Sequence, residues 1–161
     1  MLACWVYLWE DVHMARSAID IARETVECFN AGDWERLRDL HAPDCVEEEF
    51  ATERTLHSFD EMLEAAQGWK RAFPDAHGIV IDAYGEGPIA VLELEWEGTN
   101  SGPMQMPNGG EMPATGRTGR VMACQVFEIH DGRVTATRHY FNLMTLLNQL
   151  GVGSRAAAGV P

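Results

Sequence analysis

Apolar residues recur at helical spacing in the N-terminal half of the chain and at alternate positions in the C-terminal half. Ala18, Ala22, Val26 and Phe29 fall on one helical face. Ser17 stands at the N-cap of that helix, with Asp20 in a capping-box-like position, and Gly32 ends it as a C′ glycine would. Asp33 caps a short second helix carrying Leu37 and Leu40, which Pro43-Asp44 breaks. Val46 and Phe50, with acids between them, predict a short strand. Ser58-Phe59-Asp60-Glu61 is a capping-box signature. It opens a third helix with Phe59, Met62, Leu63, Ala66 and Phe73 on one face, stopped by Pro74.

Strands follow. Ile79 and Ile81 begin one, and Gly85-Glu86-Gly87-Pro88 forms a turn. From Ile89 to Gly98 the pattern alternates: Leu92, Leu94 and Trp96 face one way, Glu93, Glu95 and Glu97 the other. That predicts a sheet with one solvated face. A loop rich in Gly, Pro and Asn runs from about Thr99 to Gly116. Thr118 to His130 is a long strand, Asp131-Gly132 a two-residue hairpin turn, and Arg133 to Asn142 the return strand. A short apolar helix covers Leu143 to Leu150. Helices followed by a run of antiparallel strands predict an α+β fold whose apolar sheet face the N-terminal helices cover. The domain spans residues 14–152, preceded by an aromatic extension over 1–13 and followed by a frayed tail over 153–161. The extension is either an upstream addition or a segment that packs on a partner chain, since exposed Trp5 and Trp9 are costly in water.

The hairpin serves as a ruler for side-chain direction. With Asp131-Gly132 as the turn, an unbroken register pairs Phe127 with Ala136, Gln125 with Arg138, Ala123 with Tyr140 and Val121 with Asn142. These residues then share the face toward the helices, a face that turns polar away from the turn, as at a pocket mouth. His139 falls on the opposite face, beside Cys124. The same parity places Asn100 in line with Trp96. If Val46 and Phe50 face inward, so does Glu48, and a carboxylate in an apolar pocket has a raised pKa suited to proton transfer. A buried Glu48–Arg138 ion pair, a core Tyr140, and backbone-bonding Asn100 and Asn142 fit the same positions.

With 161 residues, 46% of them hydrophobic, the chain has enough material for one well-buried core. The net charge of -13 disfavours nucleic acid and anionic membrane as partners. Cys4, Cys28, Cys45 and Cys124 form no C-x-x-C pair, and no two histidines are spaced for a shared metal. These features predict reduced thiols, no metal site and a cytoplasmic protein.

Several runs carry a family pattern. They are Phe29-Asn30-Ala31-Gly32-Asp33-Trp34, Ala72-Phe73-Pro74-Asp75, Gly98-Thr99-Asn100-Ser101-Gly102-Pro103, Pro113-Ala114-Thr115-Gly116-Arg117, Asp131-Gly132-Arg133-Val134, Tyr140-Phe141-Asn142 and Leu146-Leu147-Asn148-Gln149-Leu150-Gly151. In order and spacing, over roughly Ser17 to Val152, they resemble the SnoaL-like polyketide cyclases and ester cyclases. The resemblance implies the cone-shaped fold of nuclear transport factor 2 and ketosteroid isomerase, a curved antiparallel sheet wrapped around the N-terminal helices. It also implies a homodimer, a small apolar or aromatic ligand, and intramolecular aldol chemistry of secondary metabolism without metal or organic cofactor. Asn100 and Asn142 stand where the family often has His and Asp, and Glu48 where it often has His. The implied catalytic set is therefore Glu48, with Arg138 and Asn142. Tyr140 is a further oxyanion partner, Glu49 a second candidate for the acid/base, and Asn100, Gln125 and Trp96 complete the substrate contacts. Two other functions fit the same pocket: a non-catalytic small-molecule carrier, and an epoxide or ester hydrolase with Asp75 as second carboxylate.

Overall fold

The computed structural model describes residues 16–106 and 109–152. The expected extension over 1–13, the expected tail over 153–161 and Cys4 lie outside them. The elements run α1 (Ala18–Ala31), α2 (Trp34–Asp39), β1 (His41–Glu49), β2 (Arg54–Leu56), α3 (Phe59–Ala72), β3 (His77–Glu86), β4 (Ile89–Thr99), β5 (Met104–Gln105), β6 (Glu111–Met112), β7 (Thr118–His130), β8 (Arg133–Phe141) and α4 (Leu143–Gln149). None of the described helices is long and apolar enough to cross a membrane.

Local signals set most boundaries. The Ser17–Asp20 capping box is complete, and Gly32 closes α1 at φ 70°, where a side chain would be strained. At α3 the Ser58 hydroxyl takes the Glu61 N–H, but the Glu61 carboxylate reaches back one residue further, to the His57 N–H at 2.7 Å. Pro43-Asp44 does not end α2, which stops at Asp39. It lies inside β1, where the register shifts between His41 and Val46. An irregular stretch is where a strand tolerates a residue with no N–H to donate.

The main sheet runs β2-β1-β8-β7-β4-β3. It is antiparallel except at β1–β8, which pair in parallel; no hairpin joins these strands, so nothing forces them to run opposite ways. Its concave face carries Leu92 and Leu94, both fully buried, against Ile21, Ala22 and Val26 of α1 and Phe59 and Met62 of α3. A second cluster joins α4 to the loop after β4 through Val121, Leu146, Leu147, Leu150, Met104 and Met112. Trp96 and Phe141 pack against both. Burying each such large apolar side chain is worth about 1.5–3 kcal/mol.

The β7–β8 hairpin contains the main departure from expectation. Asp131 and Gly132 both have positive φ, at 50° and 75°, as a type I′ turn requires. His130 pairs with Arg133 and Ile129 with Val134, as expected, but Glu128 then pairs with Ala136. Thr135 is an extra residue, a β-bulge, and its hydroxyl bonds the Glu128 carbonyl at 3.2 Å. Beyond it Phe127 faces Thr137, Gln125 faces His139 and Ala123 faces Phe141. One inserted residue exchanges the two faces of the rest of β8.

Candidate active site

The concave face of the sheet and the helices enclose a cavity of about 160 Å³. Its walls are mostly apolar, with Phe29 from α1, Met62, Ala65, Ala66 and Trp69 from α3, and Trp96, Val121, Phe127 and Phe141 from the sheet. A space of this size is comparable to a cavity of about 150 Å³ that admits benzene. Polar groups enter from one side, where β2, β1 and β8 adjoin: Glu47, Glu49, Arg54, Thr137 and His139, with Gln125 beside them on β7.

Alternation along β1 turns Glu47 and Glu49 inward, and β8 in parallel register brings Thr137 and His139 alongside them. Glu49 is only 3% exposed. One of its oxygens accepts from the Thr52 hydroxyl and from Arg54 Nη2 at 3.1 Å; the other faces His139 Nδ1 at 3.9 Å, beyond hydrogen-bond reach. Burial pushes the His139 ring down to about 4; Arg54 acts in the same direction and Glu49 against it. His139 is therefore neutral at pH 7, and its Nε2 is buried without a partner among the described residues. The Glu47 carboxylate accepts no hydrogen bond from the described residues. Burial, reinforced by Glu49 and opposed by Arg54, raises its carboxyl to about 7.

Glu47, Glu49 and His139 each offer a ligand atom, all within 4.8 Å of one another, the donor set a divalent cation would use. Arg54 already supplies the positive charge to Glu49, which opposes a second cation there. The chemistry this arrangement can support unaided is proton transfer. One carboxyl is poised near neutrality, a second is tied to a guanidinium, and a neutral imidazole lies between apolar walls.

Of the residues singled out in the sequence, Gln125, Trp96 and Glu49 line this cavity. Glu48, Arg138 and Tyr140 do not; they are corrections, all three lying on the convex face, Arg138 and Tyr140 because of the bulge at Thr135 and Glu48 because Glu47 and Glu49 take the inward positions of β1. Glu48 stands beside Arg138 in the β1–β8 register, and Arg138 bonds Glu128 at 2.6 Å. Tyr140 stacks flat on Phe50, with centroids 4.6 Å apart. Phe50 and Val46 thus point out of the cone, and the inward parity inferred from them for Glu48 is reversed. Asn142 is exposed and caps α4, its Oδ1 accepting from the Thr145 N–H at 3.0 Å. Asn100 is fully buried and holds the loop after β4. It donates to the carbonyls of Ala72 and Gly102 and accepts from the Thr115 N–H and hydroxyl. Asp75 accepts from the Thr99 N–H at 2.7 Å, a loop-fixing role outside the cavity.

The sequence reading missed Glu47, Arg54 and His139. Cys45 carried a usable signal. It is 3% exposed and shares its face with Glu47 and Glu49, and cysteine is a more reliably buried residue than a phenylalanine at a strand end.

Comparison with known proteins agrees with this fold. IdmH from Streptomyces antibioticus, a candidate polyketide cyclase, superposes with a TM-score of 0.73 at 27% identity, covering 85% of this chain and 100% of that one. AclR from Streptomyces galilaeus, a candidate hydroxylase, gives 0.70 at 22% identity over 82% and 83% of the two chains. A protein with a ketosteroid isomerase-like fold from Catenulispora acidiphila, in complex with trimethylamine, gives 0.68 at 16% identity over 88% and 98%. These last two likenesses are of fold. Among curated proteins none matches significantly. The profile described as SnoaL-like polyketide cyclase matches residues 19–150, so the chain belongs to the SnoaL-like polyketide cyclase family.

Proposed function

We propose that the protein is a cofactor-independent acid/base enzyme that enolises a small, largely apolar carbonyl compound and closes a ring by intramolecular aldol addition. The observation that carries this reading is the Glu47 carboxylate, turned into an apolar cavity without a hydrogen-bonding partner among the described residues, beside His139 and the Glu49–Arg54 pair. Glu47 takes a proton from the carbon next to a carbonyl. The enolate carbon attacks a second carbonyl carbon of the same molecule, and the resulting alkoxide takes the proton back from Glu47. No atom is gained or lost, so the cycle needs no oxidant and no metal.

The test is exchange of the α-hydrogens of 2-tetralone for deuterium in heavy water, followed by NMR. Wild type accelerates exchange, Glu47→Gln slows it at least about 100-fold, and Glu48→Gln, on the convex face, matches wild type. Exchange no faster than buffer, with the ketone still bound, favours the carrier reading instead.

Hydrolysis is a second reading, and one observation favours it: the second carboxylate it requires is present as Glu49, beside Glu47. Incorporation of labelled oxygen from water into an epoxide or ester probe separates it from aldol chemistry. We also propose a homodimer across the convex face, supported by exposed Phe50, Tyr140, Met122, Ile79 and Tyr84 on that side. A cytoplasmic location is supported by Cys28, Cys45 and Cys124, all free thiols.

A further inference from the structure

The indole of Trp96 is held in one orientation by packing. On β4 it stands opposite Gly78 of β3 and Val121 of β7. Its ring lies so close over Gly78 that a Cβ there would come within 2.6 Å of Cζ3 and 2.8 Å of Cη2. Only glycine leaves room for the ring. Cζ3 lies directly across the six-membered ring from Cε2, the carbon that bears the nitrogen. The edge pressed on Gly78 is therefore the edge farthest from the N–H.

The seat itself is clamped. The Asn30 side chain donates to the Gly78 carbonyl at 2.8 Å and accepts the Gly78 N–H at 2.7 Å. Its neighbour Phe29 meets the Trp96 ring edge-on, with centroids 5.1 Å apart. Lys70 donates to the carbonyls of Asn30 and Ala76 and sits 4.8 Å over the Phe29 ring. The end of α1, β3 and the indole thus form one braced unit.

For all this bracing, Trp96 Nε1 is buried and has no acceptor among the described residues. Buried indole N–H groups ordinarily find a partner, and leaving one without forfeits its hydration for nothing. The indole nitrogen is a donor only. Its missing partner is therefore an acceptor, and the ring lines the same cavity as Glu47 and His139. An indole carries no charge and does not titrate, so it can hold a developing negative oxygen in an apolar site without placing a cation against Glu47.

We propose that Trp96 Nε1–H is the hydrogen-bond donor to the reacting carbonyl oxygen of the substrate, strengthening as that oxygen becomes an enolate, and that Gly78 and Asn30 are the positioning residues that aim it. This inference rests on the enolising reading of the pocket. It narrows the ligand class to a flat, ring-sized compound with a carbonyl or enol oxygen beside its acidic carbon.

The test separates the hydrogen bond from packing. Pentafluorophenolate mimics a ring-bound enolate; hexafluorobenzene has nearly the same shape and no oxygen. Binding of both is followed by fluorine NMR at pH 6. Trp96→Phe keeps an aromatic ring and removes the N–H. It weakens pentafluorophenolate about tenfold or more and changes hexafluorobenzene less than about twofold. In labelled wild-type protein, the indole N–H resonance absent from Trp96→Phe moves downfield with pentafluorophenolate and not with hexafluorobenzene. Gly78→Ala displaces that resonance before any ligand is added and narrows the preference for the phenolate, while circular dichroism and the melting curve report that the fold is retained. Equal loss of both ligands in Trp96→Phe, an unmoved indole resonance, or no binding of pentafluorophenolate to wild type overturns the proposal. Glu47→Gln keeps the preference, so a failure of Glu47 as the base and a failure of Trp96 as the donor give different results.

Discussion

Gln125 on β7 stands directly opposite His139 on β8, inside the cone. An unbroken hairpin would have put Arg138 there. The difference is Thr135, whose extra residue moves Arg138 and Tyr140 to the convex face and brings His139 and Phe141 into the cavity wall. Deleting Thr135 restores the plain register and forces Arg138 inward without Glu128. We expect a loss of roughly 3–5 kcal/mol for a charge buried without its partner, read as a fall in the urea midpoint or as insoluble expression.

Glu47 sets a pH dependence for the proposed reaction. The base form of a carboxyl raised to about 7 accumulates as pH rises through that value. The rate of deuterium exchange into 2-tetralone therefore climbs between about pH 6 and 8 and levels off above. A profile already flat at pH 5 excludes Glu47 as the base.

His41 and His139 make the fold sensitive to acid. Both rings are buried and both are depressed from 6.5 to about 4, His41 with its Nδ1 against the Leu37 carbonyl. Between those two values the unfolded chain binds protons that the folded one does not. Their contribution is complete above about 6.5 and falls as pH drops toward 4. Glu47 runs the other way: its raised pKa stabilises below 4.5, and that contribution is lost as pH rises through about 7. His41→Gln, which keeps an amide donor for Leu37, isolates the first effect. Wild type loses up to roughly 3 kcal/mol more than this variant between pH 6.5 and 4, measured by urea unfolding at each pH.

Asn100 is a structural residue in this fold. Its amide makes two donor and two acceptor contacts with no exposure to water. Asn100→Asp replaces both donated hydrogens with a carboxylate facing the carbonyls of Ala72 and Gly102. We expect about 3 kcal/mol or more of destabilisation, seen as a lowered melting temperature. A merely slower enzyme with unchanged stability would return Asn100 to the substrate site.

The convex aromatic patch bears on assembly. Met122, 57% exposed, lies on the outer face of β7 beside the β4 acids. Met122→Glu adds charge to that face without touching the cavity. Light scattering is expected to show the wild type as a dimer and the variant shifted to monomer.

Much of the fold was legible in the chain. Ser17, Asp33 and Ser58 marked three helix starts because caps are local chemistry, satisfied within one turn. Asp131-Gly132 marked its turn because two consecutive positive φ angles suit few other residues. The alternation of Leu92, Leu94 and Trp96 against Glu93, Glu95 and Glu97 placed β4 correctly. Gln125 and Trp96 were assigned to the pocket by parity, whereas Glu49 entered only through the family resemblance.

What failed was parity carried across an interruption. Nothing in Arg133-Val134-Thr135-Ala136 announces a bulge, since Thr and Ala fit either face of a strand, and one residue there exchanged Arg138 for His139. On β1, Phe50 was read as core because it is aromatic, yet it stacks on Tyr140 outside. The sequence by itself determined where elements begin and end, because that depends on neighbours within a few residues. Only the tertiary structure decided which of Glu47 or Glu48, and of Arg138 or His139, lines the cavity. That choice depends on strand pairing between residues nearly a hundred positions apart, and on β8 a single inserted residue inverts it.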